Sequence, residues 1–214
     1  EQGAEMVTIG TELASITGQA NTSQWRDLIN DVRDIYSGEL TYSANWGGDP
    51  WSREADNIEF WDDLDYIGIA AYFPFDPPYT VNSLREQWDQ WERSRIRPLN
   101  EEWDMPVLFT EIGYRSVQGA LAMPWDWELA GAQDQEAQAA GYEALLEYWS
   151  EIDYFNGLHI WNWQTASDPS FWDSEAWSLG YTPQRKPAED VLEEQFEDIE
   201  ANLGLVVPAR LPLR

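Results

Sequence analysis

Five short apolar runs alternate along the chain with amphipathic stretches of helical period, and this alternation limits the fold more than any other feature. Runs such as YIGIAAY are typical of strands that are buried on both faces. Parallel strands need a crossover between them, and helices supply it. The alternation therefore predicts an α/β fold with a parallel sheet. The predicted strands are Met6–Glu12, Leu40–Trp46, Asp65–Tyr72, Val107–Glu111 and Gly157–Trp163.

Apolar spacing and capping residues predict four helices between and after these strands. The first follows Thr22–Ser23, the second begins near Ser83, and the third begins near Asp134. The last begins at Pro187, a residue favoured in a first turn, and ends at Gly204.

The connections between these elements differ in length with their direction. Helix-to-strand connections are short, as at 36–39 and 151–156, whereas strand-to-helix connections are long, as at 112–133 and 164–186. In a barrel of parallel strands, the long loops all lie at the carboxyl ends of the strands. That is the face where (β/α)8 enzymes build their active sites.

A complete (β/α)8 barrel takes about 250 residues, whereas five strands and their helices use most of the 214 residues here. We therefore predict an α/β fold of the TIM-barrel type that holds the last five βα units, strands four to eight, and lacks the first three. This partial barrel is expected over residues 1–204, with a C-terminal tail at 205–214. An open parallel sheet is the competing fold, and it would leave two edges that need cover.

Composition narrows the chemistry of such a fold. The chain has 40 Asp and Glu against 12 Lys and Arg, with a net charge of −28, so it repels nucleic acid and anionic membranes. It has no cysteine and one histidine, which argues against thiolate or zinc sites and a histidine-based triad. We expect no metal and no cofactor. The acidic excess has two interpretations, solubility or adaptation to high salt.

Two predicted strands end on a glutamate in the same local pattern. VTIGTEL contains Glu12 and LFTEIGY contains Glu111, and both lie at the edge that carries the long loops. Two carboxylates facing each other across a sugar can hydrolyse a glycosidic bond, since one protonates the leaving oxygen and the other attacks the anomeric carbon or activates water. Alternatively, each glutamate caps a helix or joins a surface ion pair.

Several motifs together resemble glycoside hydrolase family 113, which contains β-mannanases of a large retaining (β/α)8 clan. They are IGTEL, LTYSANW, FWDDLDYIGIAAYFP, FTEIGYRS, WNW and YTPQRKPAEDVL. The resemblance implies that Glu12 is the acid/base after strand four and Glu111 the nucleophile after strand seven. The strand count agrees with this assignment. Thr11 departs from the pattern, because much of the clan has Asn before the acid/base.

The resemblance and the strand ends suggest further substrate-binding residues. A tyrosine at the position of Tyr72 commonly hydrogen-bonds the nucleophile in the clan. Asn45 and Trp46 end the second strand and are candidates for binding hydroxyl groups and stacking on a sugar. Trp161 and Trp163 share parity on the last strand, so both are expected on one side of it, with Trp163 as the candidate floor for the sugar.

Two further features have simpler interpretations. His159 shares the parity of these tryptophans but lies deeper in the strand, and is expected to be a core histidine. The tryptophan-rich loops SVQGALAMPWDWELAG and SDPSFWDSEAWSLGY form outer sugar subsites or merely cover the barrel mouth.

The sequence thus predicts a retaining glycoside hydrolase whose partner is a β-linked oligo- or polysaccharide, β-1,4-mannan by resemblance alone. The missing strands leave two alternatives open. One is a non-catalytic carbohydrate-binding or scaffold protein derived from the fold. The other is self-association, or a complementing segment, that covers the open barrel edges.

Overall fold

The computed structural model describes residues 3–47, 53–165 and 167–202. Its strands form one parallel sheet in chain order, so each strand pairs with the next one along the chain. The strands are β1 (Met6–Thr11), β2 (Glu39–Asn45), β3 (Tyr66–Ala70), β4 (Val107–Ile112) and β5 (Phe155–Ile160). The predicted α/β fold with a five-strand parallel sheet is confirmed.

The longer helices follow the strands and pack on one face of this sheet. The α-helices are α1 (Thr22–Arg33), α2 (Glu54–Asn57), α3 (Val81–Trp91), α4 (Arg97–Trp103), α5 (Gln135–Trp149), α6 (Glu175–Ser178) and α7 (Pro187–Asn202). The predicted starts of α5 and α7 are confirmed, since the Asp134 side chain caps α5 and α7 begins at Pro187. Thr80, rather than Ser83, caps α3 and accepts a hydrogen bond from the Ser83 N–H.

One helical extension and the bounds of one strand differ from those predicted from the sequence. A π-helical turn at Glu92–Ile96 joins α3 to α4, so the second helix is longer than predicted. The last strand begins two residues earlier than predicted and ends at Ile160, which leaves Trp161 and Trp163 beyond it. The predicted helix end at Gly204 and the tail at 205–214 lie outside the described residues.

The helix-covered face of the sheet holds an aromatic core. The Phe109 ring lies 4.8 Å from the Trp149 ring, and Trp88 lies 5.6 Å from Trp149, both edge to face. All three side chains are almost fully buried. Burying one Phe side chain stabilises a fold by about 1.5–3 kcal/mol, so this cluster fixes the helices against the sheet.

The opposite, concave face is polar where the middle strands meet. The hydroxyl groups of Ser43 on β2 and Thr110 on β4 lie 2.6 Å apart, across β3. A Cβ atom on Gly68 of β3 would lie 2.3 Å from the Tyr42 carbonyl oxygen and 2.9 Å from the Thr110 methyl carbon. Glycine therefore leaves the space in which β2 and β4 approach each other over β3.

The prediction that His159 is a core residue is wrong, because its side chain is exposed. Leu158 and Ile160 pack against the core, so His159 between them lies on the concave face. Within the described chain no strand pairs with β5 on its outer side. The face that a closed barrel would bury is consequently open to water at this edge.

Candidate active site

Glu12 and Glu111 stand at the carboxyl ends of β1 and β4. Glu12 directly follows β1 and has a left-handed backbone with a φ of 52°, which is unusual for a residue with a Cβ atom. Its N–H donates to the Ser43 carbonyl oxygen at 2.8 Å. Glu111 is the penultimate residue of β4 and is half-buried.

The two glutamates interact electrostatically. Although Glu12 as a whole is exposed, desolvation of its carboxyl group raises its pKa above the ordinary value. The Glu111 carboxylate raises this pKa further, and Glu54 adds a smaller effect in the same direction. Like charges at one site favour protonation of one member of the pair. The structure therefore brings the predicted pair together and favours the protonated form of Glu12.

Tyr72, just after β3, contacts Glu111. Its hydroxyl group donates a hydrogen bond to Oε2 of Glu111 at 3.2 Å. Burial raises the pKa of Tyr72 well above its usual value, and the Glu111 charge raises it further, so this hydroxyl keeps its proton. A hydrogen bond donated to a carboxylate stabilises the ionised form.

The end of β4 is packed against the start of the loop that follows β5. Trp161 donates its N–H to the Ile112 carbonyl oxygen at 2.7 Å. A Cβ atom on Gly113 would lie 1.8 Å from the Trp161 carbonyl oxygen, so only glycine permits this approach. The Trp161–Asn162 peptide bond is cis. Trp161 and Trp163 are 45% and 48% exposed, so both indole rings are accessible to a ligand.

Trp46, the residue after β2, is half-buried in an aromatic cluster. Its ring stacks on Trp125 with centroids 5.2 Å apart and an interplanar angle of 24°. Phe73 and Trp91 meet it edge-on. Trp125 comes from the long loop after β4 and is 45% exposed, so the exposed aromatic side chain of this stack is Trp125.

The loop that carries Trp125 is attached to the candidate site. Tyr181 donates its hydroxyl hydrogen to the Pro124 carbonyl oxygen at 2.7 Å. The ring of Tyr181 in turn meets the ring of Tyr72 edge-on at 6.4 Å. The stacked tryptophans are thereby connected to the residue that contacts Glu111.

Sequence reasoning missed a third glutamate at the site. Glu54 in α2 is 2% exposed and accepts hydrogen bonds from the hydroxyl groups of Tyr42 and Thr17, at 2.6 and 2.9 Å. It also accepts the backbone N–H of Asn45 at 2.9 Å. The Asn45 side-chain oxygen accepts the Gly47 N–H at 3.2 Å, so it holds the local turn.

Nothing in the described ranges adds a metal or membrane element to this site. Those residues contain no group of three or more histidines and carboxylates able to hold a metal ion. Within the same ranges, none of the helices is long and apolar enough to cross a bilayer.

Comparison with known proteins places the chain beside one family of glycosidases. The family profile of Glycoside Hydrolase Family 113 matches residues 1–178, which confirms the predicted resemblance. A comparison with curated proteins gave no match.

Three solved mannanase structures resemble the chain over nearly its whole length. The GH113 β-mannanase of Alicyclobacillus acidocaldarius, solved in complex with ManMIm, is 30% identical over 91% of this chain, with a TM-score of 0.73. Two further GH113 β-1,4-mannanase structures, one of them a complex, are 28% and 29% identical over 90% of it, with TM-scores of 0.72 and 0.70.

The chain spans only 56% of the length of each of these mannanases. The predicted fold, a TIM-barrel type of which the chain holds only a part, is confirmed by these matches.

Proposed function

Because the chain belongs to glycoside hydrolase family 113, we propose that it carries the catalytic carboxylates of a retaining glycoside hydrolase that cleaves β-1,4-mannan or manno-oligosaccharides. One observation carries the proposal: Glu12 and Glu111 interact at one edge of the sheet, and Glu12 has the raised pKa that a general acid needs.

Glu111 is the proposed nucleophile. Tyr72 donates to Oε2 of its carboxylate, which orients the carboxylate for attack. A Glu111 oxygen forms a bond to the anomeric carbon of the sugar while the glycosidic carbon–oxygen bond breaks. The product of this step is a covalent glycosyl-enzyme.

Glu12 is the proposed acid/base. In the first step its carboxyl proton passes to the departing glycosidic oxygen. In the second step the Glu12 carboxylate takes a proton from water, whose oxygen displaces Glu111 from the anomeric carbon. Two inversions at one carbon retain the configuration of the substrate.

The aromatic side chains around these glutamates are proposed to bind the sugar. Trp161 adjoins the strand end that bears Glu111 and, with Trp163, has an accessible indole face. The apolar faces of sugar rings pack on such surfaces. Asn45 and the stacked ring of Trp46 are proposed to line the same cleft on the β2 side. Mannose as the sugar is supported by the β-1,4-mannanases that the chain resembles.

The open concave face favours a second candidate, a non-catalytic carbohydrate-binding module. In the described sheet, β1 and β5 each have one strand neighbour, and His159 faces solvent. A sugar on Trp161 would therefore lack the wall that a closed barrel provides. A second copy of the chain, or a complementing segment, is proposed to supply that wall in the catalytic form.

Hydrolysis assays separate these candidates. The chain is incubated with mannan, glucan and xylan oligosaccharides, and the anomer formed first is read by proton NMR. The proposal expects mannan products of retained β configuration, and no products from Glu111→Ala. Glu101→Ala changes an exposed glutamate of α4 and should leave turnover unchanged. Sugar binding without hydrolysis would support the binding module instead, if it is seen both for the chain alone and for the chain assembled with a second copy or a complementing segment.

A further inference from the structure

A buried glutamate close to the proposed acid/base has no part in the reaction described above. Glu54 lies in α2, a four-residue helix after β2, and is 2% exposed. We propose that Glu54 is a positioning residue for Glu12, fixing the turn that presents Glu12 and placing a carboxylate near it. The inference rests on the acid/base role proposed for Glu12, but it concerns properties of Glu12 that can be measured without turnover.

Glu54 is held by donors from two neighbouring segments. Tyr42 and Asn45 belong to β2, and Thr17 belongs to the loop between β1 and α1. An ionised carboxylate only accepts hydrogen bonds, so three converging donors fit that form. Glu54 consequently ties the loop that follows Glu12 to the end of β2.

Tyr42 transmits this arrangement to the turn at Glu12. Its hydroxyl group donates to Glu54 and also accepts the N–H of Leu13, the residue after Glu12, at 2.6 Å. The N–H of Glu12 itself is held by the Ser43 carbonyl oxygen. These two hydrogen bonds restrain a left-handed backbone that a residue with a Cβ atom adopts only under such restraint.

The charge of Glu54 acts on the Glu12 carboxyl as well. The groups that influence it electrostatically are the carboxylates of Glu111 and Glu54, both of which raise its pKa. The hydroxyl groups of Tyr42 and Tyr72 also sense Glu12, and their own pKa values are raised, mainly by burial. They remain neutral donors.

Glu54 and Glu111 differ in when they act during double displacement. Esterification removes the charge of Glu111 in the glycosyl-enzyme, which lowers the pKa of Glu12 when it must become a base. Glu54 forms no bond to the sugar, so esterification of Glu111 does not remove its carboxylate. It therefore adds to the pKa of Glu12 in both half-reactions, by less than desolvation does.

The test reads Glu12 directly in the full chain, by carbon-13 NMR titration of its carboxyl group. Glu54→Gln keeps the shape of the side chain but removes its charge, and it should shift the Glu12 titration to lower pH. Tyr42→Phe keeps the charge and removes the hydroxyl, and it should speed amide hydrogen exchange at Leu13 roughly fivefold. Wild-type chain provides the reference for both measurements.

Glu92→Gln is the matched control. Glu92 is equally buried but binds Arg97 and Tyr154 in the helical layer, so its substitution should change neither readout.

The inference is overturned if folded Glu54→Gln leaves the Glu12 titration in place, or if Glu92→Gln shifts it equally. If Glu54→Gln does not fold, Leu13 exchange in Tyr42→Phe decides, and unchanged exchange overturns the inference. A chain that shows both effects but hydrolyses no glycan would refute the proposed function and leave this inference standing.

Discussion

The hydroxyl group of Tyr72 lies 3.2 Å from Oε2 of Glu111 and donates a hydrogen bond to it, joining the ends of β3 and β4. The donor stays protonated because burial and the Glu111 charge both raise the pKa of the tyrosine. The contact orients one carboxylate oxygen, which suits a nucleophile.

Replacing this donor should slow the reaction. A hydrogen bond to a charged group contributes about 1.5–3 kcal/mol, so we expect Tyr72→Phe to lower kcat/KM roughly tenfold to a hundredfold. Steady-state kinetics on manno-oligosaccharides measures the change. Tyr148→Phe removes a hydroxyl whose partner, Asp89, lies in α3, and it should be nearly silent. Equal rates for Tyr72→Phe and wild-type chain would exclude the proposed role of Tyr72.

The raised pKa of Glu12 sets the direction of the pH dependence. A general acid must carry its proton, so kcat/KM should fall as pH rises through the folded-state pKa of Glu12. Desolvation, Glu111 and Glu54 raise that value, so the fall should come above the ordinary glutamate range. A pH–rate profile on mannan oligosaccharides locates it.

An activated substrate provides the control for this pH dependence. An aryl mannoside with a good leaving group needs little protonation of that group. The rate at which its glycosyl-enzyme forms should therefore fall much less as pH rises. Glu12→Gln should likewise still release the aryl group rapidly as the glycosyl-enzyme forms, while losing activity on mannan. A fall of equal steepness on both substrates would assign it to some other group.

Gly113 should tolerate no side chain, because its Cβ would lie 1.8 Å from the Trp161 carbonyl oxygen. We expect Gly113→Ala to destabilise the chain by roughly 1–3 kcal/mol, the usual effect of overpacking, and to displace Trp161 from the end of β4. Urea unfolding measures the first effect. Gly18→Ala is the comparison, since a Cβ there meets nothing within 4 Å. Similar unfolding midpoints for the two variants would contradict the packing described at the end of β4.

Added salt should stabilise the chain. A net charge of −28 produces self-repulsion, and the screening length falls from about 30 Å at 0.01 M salt to about 3 Å at 1 M. We expect the thermal unfolding midpoint to rise between these concentrations of sodium chloride, and to rise more than with a neutral osmolyte adjusted to the same stabilising effect on an uncharged reference protein. An unchanged midpoint would leave solubility as the interpretation of the acidic excess.

The sequence predicted the features that depend on local pattern. Apolar runs ending in Thr-Glu gave the positions of Glu12 and Glu111, and loop lengths put both on one edge of a parallel sheet. The structure has this arrangement, because the parallel direction of the strands follows from the alternation of strands and helices. Helix starts such as Asp134 were predictable for the same reason, since a cap acts within one turn.

The remaining features depend on contacts between distant segments. Glu54 is one of 40 acidic residues, and only the fold brings Tyr42, Thr17 and Asn45 around it. His159 is exposed because no strand of the described sheet pairs with the outer side of β5. The stacking of Trp46 on Trp125 joins residues in two different loops. No local pattern carries information about such contacts.

The account depends most directly on Glu111 forming a covalent bond to the sugar. The form of the chain that hydrolyses mannan, alone or assembled, is treated with 2-deoxy-2-fluoro-β-mannosyl fluoride. The fluorine at C2 slows hydrolysis of the intermediate, and the labelled peptide is then sequenced by mass spectrometry. The account predicts one fluoromannosyl group on Glu111, and no labelling of Glu111→Gln. Labelling at another residue, or turnover of mannan with inversion and no trapped intermediate, would contradict it.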